Sequence, residues 1–149
     1  METSLKVKYY KGAYKYQLAE DLVTHLPRYD GGFSIWPNSD IKVPFITLLP
    51  DGWLILLTGY ASDGPSGPTW DRPSFMRGAF VHDGLYQLMR LRLLDRFIYR
   101  PVADKVLANI CKEDGMWAWW ADNVIENGVQ YFAGPYADPS CKRELIIAP

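Results

Sequence analysis

Pro44-Phe-Ile-Thr-Leu-Leu49, Pro50-Asp51-Gly52 and Trp53-Leu-Ile-Leu-Leu-Thr58 form one continuous stretch whose reading sets the fold. Two apolar runs flank a three-residue break. In the break, proline presets φ and glycine takes the positive φ that other residues resist. The runs are predicted to pair as the central antiparallel hairpin of a small sheet. Upstream, Leu5-Lys-Val-Lys-Tyr-Tyr10 and Tyr14-Lys-Tyr-Gln-Leu18 alternate about Gly12, which predicts another hairpin.

Downstream the pattern turns helical. Asp71 and Ser74 both offer an N-cap for a helix running to about Met89 or Leu91. Pro101 suits the first turn of a second helix and Gly115 its end. A third helix is predicted from Met116 to about Phe132, with Trp117, Ala121, Val124 and Gly128 on one face. Glu144-Leu-Ile-Ile147 reads as an edge strand. Together these predict an α+β fold: a small antiparallel sheet from the N-terminal half packed with about three helices from the C-terminal half. Without a repeat, linker or low-complexity tract, the chain reads as one domain over residues 1–149.

Composition narrows the function classes. An apolar content of 48% argues for a packed core rather than disorder. A net charge of −1 supplies no basic face for nucleic acid, so none is expected as partner. Arg90, Arg92, Arg96 and Arg100 form a local basic run broken by Asp95, read as a solvated helix end and loop. The N-terminus lacks the basic-then-apolar order of a signal peptide. No apolar run approaches the roughly 18 residues that span a bilayer. Cys111 and Cys141 fit a reducing compartment, their pairing left open, and neither stands at metal-ligand spacing. Six Trp and ten Tyr are more rings than a small core hides, so some are expected at a lipid surface, a substrate groove or a partner interface.

The chemistry concentrates in His82-Asp83-Gly84-Leu85-Tyr86-Gln87. At helical spacing Phe75, Ala79, His82, Tyr86 and Met89 share a face, while Asp83 falls with Met76, Phe80, Gln87 and Arg90. Gly78 and Gly84 each cost about 1 kcal/mol against Ala inside a helix, which suggests a close approach to the backbone. Asp104, near the start of the second helix and so favoured as an anion, would accept a hydrogen bond from His82. That bond fixes the imidazole tautomer and makes the other nitrogen a general base. Asp83 would offer oxygens to a hard cation, with Asp63 or the carbonyls of Gly64 to Gly67 completing a calcium-like shell. A histidine satisfied by packed neighbours is the competing reading. With helices ending at Leu91 and starting at Pro101, His82 lies about 13 Å and Asp104 about 5 Å from the turn, so the pair meets only if the helices stagger.

The ordered segments Asp63-Gly-Pro-Ser-Gly-Pro68, His82-Asp-Gly-Leu-Tyr86 and Arg100-Pro-Val-Ala-Asp104 resemble an uncharacterised family of tailed bacteriophages and prophages. Ser62, Pro65 and Gly67 depart from that family's Thr-Asp-Gly-Ala-Ser-Val-Pro loop. The same region is similar to the core of phospholipase A2, in its bacterial and fungal branch. That similarity implies His82 as general base, Asp104 as its orienting partner, Tyr86 in support, and Asp83 on calcium with Asp63, Gly64 and Gly67. It also implies a lipid or small ester substrate. Cysteines beside His82 and an export signal, both usual in that family, are missing. The alternatives left open are a non-catalytic virion or assembly component, with other virion proteins as partners, and a protein that binds a ligand or host factor. The location expected on this resemblance is the host cytoplasm or the virion.

Overall fold

The computed structural model describes residues 16–62 and 73–126, together with Val7, Tyr9 and Tyr10. Among the described residues seven short strands come first: β1 (Tyr9–Tyr10), β2 (Tyr16–Leu18), β3 (Leu22–His25), β4 (Ile41–Val43), β5 (Ile46–Leu48), β6 (Trp53–Leu56) and β7 (Ala61–Ser62). They form two antiparallel sheets, ordered β1-β2-β7 and β3-β6-β5-β4. Two long helices follow, α1 (Pro73–Arg90) and α2 (Arg96–Glu113). A short turn of helix, α3 (Ala118–Trp120), then widens into a π-helical turn at Ala121–Ile125. The architecture is α+β, with antiparallel sheets in the N-terminal half and helices in the C-terminal half packed against strands.

The central hairpin forms where expected. Leu48 faces Leu54 and Ile46 faces Leu56. Gly52 N–H donates to Leu49 O at 3.0 Å and Leu49 N–H to Trp53 O at 2.9 Å, a three-residue loop closed by a glycine at φ +87°. A Cβ on Gly52 would lie 2.1 Å from Trp36 Nε1, so the indole lying across the turn also demands glycine. The other run is shorter than predicted. Pro44 and Phe45 make a two-residue turn between β4 and β5, Phe45 taking φ +68°.

One core lies between the four-stranded sheet and the helices: Leu22, Leu48, Leu54 and Leu56 meet Phe80, Leu85, Leu88 and Val106. A second joins Phe75 and Ala79 of α1 to Leu107 and Cys111 of α2 and to Ala121 and Ile125. The two internal glycines of α1 belong to this packing. A Cβ at Gly84 would sit 2.9 Å from Leu56 Cδ2, and one at Gly78 would sit 2.8 Å from Leu107 Cδ1. The close approach read from these glycines is therefore made by core side chains. Arg77, buried on α1, binds Asp114 at 3.0 Å and Glu113 at 2.7 Å, tying the start of α1 to the end of α2.

Three sequence expectations need correction. The second helix begins at Arg96, not Pro101, because Asp95 caps it: its carboxylate accepts from Phe97 N–H at 2.8 Å and Ile98 N–H at 3.4 Å. Pro101 sits in the second turn, where its missing N–H leaves the Phe97 carbonyl without the usual helical donor. The third helix turns a different face inward. Ala121 and Ile125 are buried, Trp117 is exposed, and the π-helical turn changes the phase. Arg90, read as solvated, is buried. Gly115 does end α2, at φ +100°. The predicted strand at Glu144–Ile147, Asp71, Gly12, Gly128 and Cys141 lie outside the described residues.

Candidate functional site

Between α1 and α2 runs a five-residue turn whose geometry sets everything at the site. Leu93 N–H donates to Leu88 O at 2.9 Å and Arg92 N–H to Met89 O at 3.0 Å, with Arg92 at φ +61°. This is the pair of bonds that closes a helix on a left-handed residue, here arginine rather than glycine. The helices therefore reverse sharply. His82 stands eight residues before the end of α1 (90 − 82) and Asp104 eight residues after the start of α2 (104 − 96). At 1.5 Å per residue each is about 12 Å from the turn, so they arrive level.

His82 Nε2 lies 2.7 Å from Asp104 Oδ1. The Tyr86 hydroxyl donates to the same oxygen at 2.6 Å, and the Tyr86 ring tilts over the imidazole with centroids 4.1 Å apart. Asp104 is 0% exposed, and its buried Oδ2 has no hydrogen-bond partner among the described residues. Asp104 is the ninth residue of α2, beyond the first turn where the helix dipole acts. The expected support from the helix N-terminus is thus replaced by two hydrogen-bond donors. A carboxylate accepts only, so the proton between the pair is carried by Nε2, and in the neutral ring the lone pair falls on Nδ1. The imidazole is 12% exposed. Burial, followed by the charge of Asp104, pushes the Tyr86 hydroxyl well above its ordinary value of 10, which keeps it a donor.

Asp83 occupies the adjoining face of α1 in different company. Tyr60, from the segment before β7, donates its hydroxyl to Asp83 Oδ2 at 3.0 Å. Arg90 Nη2 stands 3.6 Å from Asp83 Oδ1, and Arg90 Nε donates to Gln87 Oε1 at 2.9 Å. Tyr60, Gln87 and Arg90 are buried. Neither Tyr60 nor Arg90 entered the site as read from sequence, although Gln87 and Arg90 recur at the helical spacing that should bring them to Asp83. Asp63, Gly64 and Gly67, the other expected calcium ligands, lie outside the described residues. Among the described residues no group of three or more His, Cys, Asp or Glu is disposed to hold a metal. The arginine beside Asp83 does not suit a divalent cation at that carboxylate, so the residues in view do not fit a calcium shell.

His82, Asp104 and Tyr86 are thus brought together, and Asp83 faces away from them into its own network. Among the described residues no helix is long and apolar enough to cross a membrane. Comparison with protein-family models, curated proteins and solved structures finds no match.

Proposed function

We propose that the protein is a small hydrolase of ester bonds, lipid esters included, in which His82 is the general base and Asp104 and Tyr86 hold it in place. One observation carries the reading: the fully buried Asp104 takes hydrogen bonds from His82 Nε2 and the Tyr86 hydroxyl on a single oxygen, at 2.7 and 2.6 Å. Burying a carboxylate is costly unless it is bonded, and here the bonds set an imidazole tautomer. A water at Nδ1 loses a proton to it as the water oxygen attacks the ester carbonyl. The imidazole then returns the proton to the departing alkoxide, leaving an acid and an alcohol.

The order of the three motifs supports a tailed-bacteriophage origin, with the protein in the host cytoplasm or the virion. Calcium at Asp83, which the resemblance implies, is left out of this reading because Arg90 stands 3.6 Å from that carboxylate. No step above is routed through the ion.

Hydrolysis of p-nitrophenyl butyrate and of phosphatidylcholine vesicles, each with calcium and with EDTA, tests the reading. Wild type is expected to turn over one of them about 10²- to 10⁴-fold faster than His82→Ala. Equal turnover by the two proteins overturns the assignment.

A second reading, a non-catalytic virion or assembly component, is favoured by Trp117 and Trp119. They are 70% and 55% exposed, with ring centroids 5.6 Å apart. Paired exposed indoles make good interface anchors. Stoichiometric presence in purified particles, with wild type inert toward both esters, would select it.

A further inference from the structure

Among the described residues the four-stranded sheet ends in two different edges. β4 carries an exposed Lys42 at its centre and is followed at once by Pro44, both of which discourage another strand from joining. β3 has no lysine or proline in Leu22–His25. Pro27, which follows Leu26 in the outward phase and lines the groove beside this strand, bounds the open edge at Val23 and His25. Its register pairs Leu22 with Leu56 and Thr24 with Leu54, and Leu26 N–H donates to Gly52 O at 2.8 Å. Backbone bonds alternate along an antiparallel strand. Leu22, Thr24 and Leu26 therefore spend theirs on β6. The other side of β6 agrees, since Leu49 N–H bonds Trp53 O and Leu57 N–H bonds Phe45 O. Val23 and His25 are left with N–H and C=O groups turned outward, met by no backbone partner among the described residues.

Beside this edge lies a groove of about 400 Å³, walled by Val106, Asn109, Ile110 and Glu113 of α2. At 100° per residue these four lie on the face of α2 opposite Asp104, so the groove is separate from the His82 site. From Val106 to Glu113 is about 10 Å along the helix, the length of three residues of extended chain. Thr24, only 4% exposed, also lines the groove. At one end, Glu113 is 62% exposed, and Arg77 is shared between Glu113 and Asp114, one cation against two carboxylates.

We infer that the outer edge of β3 and this groove dock an extended peptide segment of another protein, which adds to the sheet as a fifth strand. Its backbone pairs with Val23 and His25. One side chain, apolar, lies over Val106 and Ile110, and the side chain two residues on, Lys or Arg, reaches Glu113. Unpaired strand groups specify an extended backbone, and the surplus negative charge specifies the basic residue.

The test is a titration of the full ¹⁵N-labelled chain with acetylated hexapeptides Ser-Thr-X-Thr-Lys-Ser, X being Val, Ile, Leu or Phe. The expected result is saturable shifts at the Val23 and His25 amides, with their hydrogen exchange slowed at least tenfold and that of Thr24 unchanged. Glu113→Gln should weaken binding about two- to fivefold. Val23→Pro removes one outward N–H at a position where an edge strand tolerates proline, and should weaken it further while the sheet persists. The inference is overturned by the absence of shifts at millimolar peptide. It is equally overturned by an N-methylated peptide that binds as well as its parent, or by shifts that track protein concentration alone, which would make a second copy the occupant.

Discussion

His82 and Asp83 are chain neighbours on one helix, yet they belong to networks of opposite character. His82 looks to α2, where a sealed carboxylate fixes one ring nitrogen and leaves the other with a lone pair. Asp83 looks to the strands, where Tyr60 bonds one of its oxygens and Arg90 flanks the other. The first network holds one group in a chemically useful state and leaves a valence unused. The second is closed, the arginine being further bonded to Gln87. A buried polar network with every member satisfied rigidifies a core; a network with one lone pair left over is equipped to act on something. On the proposed function, the motif His-Asp divides into a general base and a residue that holds the fold.

Substitutions break or sharpen that division. Asp104→Asn should lower turnover about 10²- to 10⁴-fold with the fold retained, since the amide can present a donor to Nε2 and reverse the tautomer. Gly78→Ala should cost about 1–3 kcal/mol through overpacking against Leu107 and Cys111, less the roughly 1 kcal/mol gained in helix propensity, read by urea denaturation. Because it separates α1 from α2, turnover should fall with it. Asp83→Asn should cost about 1–3 kcal/mol of stability but leave turnover per folded molecule within about twofold, because only the closed network is touched. A large loss of turnover there would bring Asp83 into the chemistry. Tyr60→Phe should cost about 1 kcal/mol for its bond to Asp83.

Alkaline pH separates the helix pair from the rest by a smaller effect. Burial, with the charge of Asp114, pushes the Cys111 thiol from 9.0 up to about 12. The Tyr86 hydroxyl is raised from 10, by burial first. Both groups stay protonated in the folded chain while the unfolded chain loses protons. Their contribution is therefore complete below pH 9 and is lost as pH rises toward 12, with a slope of up to about 1.4 kcal/mol per pH unit for each group titrating. Cys111→Ala should flatten the fall above pH 9 and Tyr86→Phe the fall above pH 10, seen as thermal midpoints against pH. A chain whose stability is level from pH 8 to 11 would contradict this packing.

Much of the fold was legible because local chemistry and tertiary packing agree. Pro50-Asp51-Gly52 is a turn by its own preferences, and Trp36 across it enforces the same glycine. The first helix ends where expected. The second does not, because Asp95 and Pro101 both signal a start and the nearer signal was read only as a break in a basic run. That choice moved the helix by five residues (101 − 96) and with it the depth of Asp104. The turn was illegible for a related reason: its left-handed residue is Arg92, and nothing in an arginine announces that conformation. Of the candidate site, His82 and Asp104 were readable from the residues themselves, and Tyr86 through the resemblance. Tyr60 was not, since its contact with Asp83 spans 23 residues and two kinds of element. Arg90 was misplaced because a charge at a helix end is usually solvated, whereas this one has Asp83 and Gln87 to bond.

The tautomer of His82 is the most direct gauge of whether the buried carboxylate sets up a base. Long-range ¹H–¹⁵N correlation spectra of the full chain at pH 8 read it, with Asp104→Asn as the reference. The expected spectrum has a protonated Nε2 and an unprotonated Nδ1 in wild type, changed in the variant. A wild-type ring protonated at Nδ1, or one identical in the two proteins, would contradict the account.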